Sequence, residues 1–133
     1  MDALRTRRIV WLPLAALLTG ACGGVTDPSQ NTIRNFDGVL QPLSSNGHDF
    51  NVGRSGEVDL KITALSNADA VLRVWYGQGN CTSTSLLNAG FRQLNNVGVG
   101  GPVFSSGPHC AVIEDALGAL SVPATYTLRV SHP

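Results

Sequence analysis

The sequence predicts an all-β fold: a single two-layer antiparallel β-sandwich of roughly seven to nine short strands behind a helical leader. Three observations predict it. Residues 57–65 alternate strictly, with Val58, Leu60, Ile62 and Ala64 on one side and Glu57, Asp59, Lys61 and Thr63 on the other. That is the period of a half-buried strand. Turn residues recur at roughly ten-residue spacing, drawn from fifteen glycines and seven prolines, a richer supply than average. After the leader, which ends at residue 21, helical periodicity is nearly absent.

The first 21 residues form a leader. Arg5, Arg7 and Arg8 precede an apolar run at 9–18, broken only by Pro13, and Thr19, Gly20 and Ala21 lead to Cys22. A basic start, a short apolar centre and a small-residue exit make a secretory signal, and the run is too short for the ~20 apolar residues of a membrane span. Leu-Thr-Gly-Ala-Cys at 18–22 resembles a bacterial lipobox, with Thr19 where the pattern favours Leu and Leu18 one place earlier. The resemblance implies cleavage before Cys22, lipid on its thiol and acylation of the new N-terminus. Several acyl chains anchor stably where one does not. Gly23 in place of Asp implies, by analogy with enteric bacteria, sorting to the outer membrane. The expected location is the cell envelope, on its periplasmic or surface face.

The chain from Cys22 onward carries six basic and eight acidic residues and a single lysine, Lys61. No basic face is available for nucleic acid. With Cys22 assigned to lipid, Cys81 and Cys110 remain, and in an oxidising compartment they are expected to pair. A zinc site is the alternative. It needs four ligands, and only His109 lies nearby in sequence.

Residues 22–30 are polar and bear Gly and Pro, as a flexible tether does; the domain is expected at 31–133. Thr32–Leu40 reads as the first strand. Asp37-Gly38 interrupts its alternation and hints at a bulge or bend. Residues 41–47 carry turn signals, and 48–52 form a short second strand with Phe50 and Val52 inward. After the alternating strand at 57–65, residues 70–76 carry bulk on both faces: Leu72, Val74 and Tyr76 on one, Val71, Arg73 and Trp75 on the other. A central strand, partly covered on its second side, fits that pattern. Residues 77–85 read as a loop holding Cys81. Residues 86–99 are ambiguous between strand and helical turn, 98–102 read as loop, and Val103-Phe104 as the start of a strand. Residues 109–115 form a strand with Cys110 and Val112 on one side. Ala124–His132 closes the domain with Tyr126, Leu128 and Val130 inward.

The ordered set Phe36-Asp37-Gly38-Val39-Leu40, His48-Asp49-Phe50-Asn51-Val52, 56–65, 107–115 and 124–133 resembles the bacterial pre-peptidase C-terminal domain and its relatives. The resemblance implies a jelly-roll-like sandwich, usually appended to secreted enzymes and not itself catalytic. Here the module is expected to stand without a preceding enzyme. Some relatives bind calcium through acidic loop residues, but the matching loop at 66–70 offers only Asp69. No metal or other cofactor is expected.

Candidate chemistry is sparse. No Gly-x-Ser-x-Gly elbow occurs. Glu114 and Asp115 are adjacent, so a strand turns them to opposite sides. His48 with Asp49 has the same arrangement, and both read as surface turn residues. The glycines at 98–101 lack the following helix and Lys-Ser/Thr of a phosphate loop. Arg73 and Trp75 are the candidate ligand-binding pair: if exposed, Trp75 is a stacking platform for sugar or peptide, and if covered it is core, which is the expected state. The expected function is therefore a non-enzymatic module making protein or glycan contacts. The alternative is a small secreted hydrolase or an accessory domain of an exported peptidase system.

Overall fold

The computed structural model describes residues 28–133; the leader, Cys22 and the tether up to residue 27 lie outside the described residues. After a single 3-10 turn at Pro28–Gln30 come eight strands: β1 (Thr32–Leu40), β2 (Ser45–Val52), β3 (Gly56–Leu65), β4 (Leu72–Gln78), β5 (Ser85–Arg92), β6 (Val99–Val103), β7 (Gly107–Glu114) and β8 (Ala124–His132). Among the described residues no helix is long and apolar enough to cross a membrane.

The strands form two antiparallel four-stranded sheets, in the orders β1-β8-β3-β6 and β2-β7-β4-β5. First pairs with last, second with seventh, third with sixth and fourth with fifth. This is one long antiparallel ribbon, tipped at β4–β5 and wrapped into two layers, which is the order of a jelly roll. Alternation along each strand sends one face inward. Leu60, Ile62 and Leu128 from the first sheet meet Val74, Tyr76 and Ile113 from the second, each at most 1% exposed.

The structure corrects the strand boundaries in several places. Val99–Val103, expected as loop, is a strand paired with β3 from Gly56↔Val103 to Leu60↔Val99. Gly100, Gly101 and Pro102 carry no alternation, so pairing and the buried Val99 and Val103 define this strand. Phe104 lies in the exposed turn beyond it. The second strand begins at Ser45, because 45–47 pair with Glu114, Ile113 and Val112 of β7. The fourth includes Gly77 and Gln78, which pair with both neighbours. Ala64, expected inward, is exposed: a register shift between Ile62 and Ala64 hands the inward position to Leu65. No shift interrupts β1 at Asp37-Gly38, where pairing with β8 is continuous. Gly38 is there because a Cβ would stand 2.6 Å from the Tyr126 hydroxyl.

Candidate functional site

β4 is an inner strand of the second sheet, with β7 on one side and β5 on the other. Its inward residues Leu72, Val74 and Tyr76 are buried in the core. Arg73 and Trp75 therefore point to the outer face, where both are half-buried. The expectation of Trp75 as core is corrected. Among the described residues no second layer covers this side of the sheet, and the residues that flank Trp75, Val112 on β7 and Ala89 on β5, are too small to bury an indole.

Three cross-strand rows compose the face. They run Gly47–Val112–Trp75–Ala89, Ser45–Glu114–Arg73–Phe91 and Asp49–Cys110–Gly77–Leu86. The Arg73 guanidinium donates to Glu114 at 3.2 Å. A register shift between Tyr76 and Gly77 sets Leu86 opposite Gly77 and leaves Leu87 as the extra residue of a bulge. Leu86, Leu87 and Phe91 are 55%, 38% and 46% exposed. The β5 side of the face is thus apolar from Leu86 to Phe91, with Trp75 behind it.

The free edge of β5 is closed by its own side chains. Asn88 accepts the Ala89 N–H at 2.8 Å and donates to the Gly100 carbonyl at 2.7 Å, tying β5 to β6. Arg92 donates to the carbonyls of Phe91 and Val97. With these groups engaged the strand is a poor template for strand addition, and its apolar side chains are presented by the face.

The other end of the face carries the disulfide. Cys81, in the loop after β4, is bonded to Cys110 of β7 with Cα atoms 5.0 Å apart. The bridge lies over Gly47, where a Cβ would stand 2.9 Å from the Cys81 sulfur. Asp49 accepts the Cys81 N–H at 2.7 Å and fixes the loop to β2. Asp49 and the two sulfurs fall within 4.8 Å of one another, but the sulfurs are bonded to each other and are not thiolate ligands. His109 cannot join them, since its ring is on the core side of β7, 5.7 Å from Phe50.

His48 is not a surface turn residue. It lies on β2 with its ring between the sheets, stacked on Phe36 at 4.7 Å, and its Nε2 is 2.7 Å from the Tyr126 hydroxyl. Burial lowers the His48 pKa. Burial also raises that of Tyr126, against a lowering hydrogen bond from Asn46. Both are neutral near pH 7, and they bridge the β1/β2 side of the sandwich. Glu114 and Asp115 part as expected, and Asp115 is buried. It accepts the N–H groups of Leu43, Ala119 and Leu120 at 3.0, 2.7 and 3.3 Å. Burial opposes its charge, yet these bonds and one from Gly118 outweigh it and lower its pKa.

Two clefts lie on the outer side of the first sheet. One of about 650 Å³ is lined by residues including Asp37, Ser66 and Thr127, and one of about 520 Å³ by residues including Asn31, Asp59 and Arg129. No histidine lines either.

Sequence reasoning pairs Arg73 with Trp75 but does not place Leu86, Leu87 and Phe91 beside them. Their bulged strand has no regular period, and only pairing to β4 shows that they share a face with Trp75. No protein-family model matches the chain, and no curated protein does.

Proposed function

We propose that the protein is a non-enzymatic, lipid-anchored envelope protein whose sandwich makes protein or glycan contacts through the outer face of its second sheet. The observation that carries this reading is the uncovered apolar surface of Trp75, Phe91, Leu86 and Leu87. Contiguous exposed apolar surface on a small domain is characteristic of interaction sites. The Arg73–Glu114 pair beside it offers polar contacts that orient a partner. The lipobox resemblance at 18–22 supports the anchor, and the Cys81–Cys110 bridge is compatible with an exported chain. The resemblance to pre-peptidase C-terminal modules supports a role as an accessory to other envelope proteins.

The test is retention of envelope components on the immobilised protein, with parallel binding to an array of cell-wall and capsular glycans. Trp75→Ala and Phe91→Ser should each lose the partner, and for the more exposed Phe91→Ser the melting temperature should stay close to that of the parent. A partner held equally well by both variants would exclude this face.

A further inference from the structure

A second polar site lies at the opposite margin of the domain, where β1 and β2 are the outer strands of their sheets. A cleft of about 590 Å³ opens there, lined by residues including Gln30, Thr32, Arg34, Asn51, Arg54 and His132. A smaller one of about 380 Å³ continues from it past Arg34 and Asn51 to Asn80. Each side chain is set by the fold. Arg34 projects from the β1 face that looks toward the second sheet. Arg54 stands in the β2–β3 turn, which is fastened to the last strand by the Gly53 N–H donating to the Pro133 carbonyl at 3.2 Å.

Neither arginine of this cleft has an ion-pair partner among the described residues. Arg34 has no hydrogen-bond or ion-pair partner for its guanidinium among the described residues. Arg54 reaches only the neutral amide oxygen of Gln30, at 3.5 Å. His132 is 4% exposed and its Nε2 has no partner among the described residues. Asp49 borders the smaller cleft, and one of its oxygens is engaged by the Cys81 N–H. The Arg34 guanidinium and the remaining donors of Arg54, with Thr, Asn and Gln side chains in the same lining, match an oxyanion with several acceptor oxygens.

The position of the cleft identifies the oxyanion. Gln30 is part of its lining and is eight residues after Cys22. Eight residues span at most about 29 Å. On the proposed anchoring at Cys22, the cleft is held within that reach of the bilayer. Tethering makes headgroups available at high effective concentration, so a weak site would be filled. We infer that the β1/β2 cleft binds phosphate, supplied by the lipid headgroups of the membrane that carries the chain. The inference rests on the anchored reading for its source of phosphate, though not for the chemistry of the cleft.

The test is amide hydrogen exchange across 30–34 and 51–54 in protein extracted from membranes. In maltoside micelles, inorganic phosphate should slow exchange there severalfold, and raised chloride should reverse the effect. Phosphatidylglycerol vesicles should protect the same amides, whereas vesicles of a phosphate-free galactolipid should not. The double variant Arg34→Gln/Arg54→Gln should lose both protections with its melting temperature unchanged. Protection by phosphate without protection by phosphatidylglycerol would overturn the lipid source. Protection by an oligogalacturonate but not by phosphate would replace the ligand with a carboxylated glycan. No protection by phosphate, or undiminished protection in the variant, would overturn the site. The mass of the same sample separates this from the anchor: an unmodified Cys22 removes the lipid source while the inorganic-phosphate arm still tests the cleft.

Discussion

Asp115 shows what one buried charge does here. Its carboxylate accepts backbone N–H groups from the β1–β2 turn and from the connection after β7, so it fixes two loops at one end of the sandwich. Hydrogen bonds to a charged group contribute about 1.5–3 kcal/mol each, and losing the acceptor strands buried donors. Asp115→Ala should lower stability by about 3 kcal/mol or more in urea denaturation. The pH dependence has a definite sign. The folded-state pKa of Asp115 lies below its ordinary value of 3.8. Its contribution is therefore complete above that value and is lost as pH falls through the folded one. His48 acts in the same direction at higher pH. Its folded pKa lies below 6.5, so acidification protonates the unfolded chain first. Stability followed by denaturation from pH 8 to 3 should fall in two stages, below about 6.5 and again below about 4. His48→Gln should remove the first stage and Asp115→Asn the second.

At the scale of the element, each strand was legible in proportion to its regularity. β3 announced itself because its alternation runs unbroken as far as Ile62. The bulge that follows reversed the phase, and Leu65 took the inward place assigned to Ala64. β5 defeated sequence reasoning for the same reason, since the extra residue Leu87 breaks its period. β6 gave no signal because its glycines have no side chain to alternate. Arg73 and Trp75 were legible as a pair because β4 has bulk in both phases. Their neighbours were not, because cross-strand register is set by the wrapped ribbon and not by local sequence. On β5, Leu86→Ser combined with Phe91→Ser should change the urea midpoint little, as substitutions at exposed positions generally do, while reducing partner retention. The disulfide closes a separation of 29 residues. On the chain-entropy account its reduction should cost about 3–4 kcal/mol, read as the difference between urea titrations with and without reductant. Gly47→Ala should weaken the same clasp, because its Cβ would crowd the Cys81 sulfur.

At the scale of the whole molecule, the sandwich has two working margins. The outer face of the second sheet offers apolar and aromatic surface, and the β1/β2 side offers the guanidinium groups of Arg34 and Arg54. On the proposed reading the second margin turns to the bilayer and the first is left for a partner. That division depends on the chain being held at a membrane through Cys22. The most direct test is the intact mass of protein extracted from membranes, taken before and after reduction. The account predicts a chain that begins at Cys22, carries diacylglycerol and acyl mass, and gains two hydrogen atoms when Cys81–Cys110 is opened. A chain that still begins at Met1, with Cys22 unmodified, would contradict it.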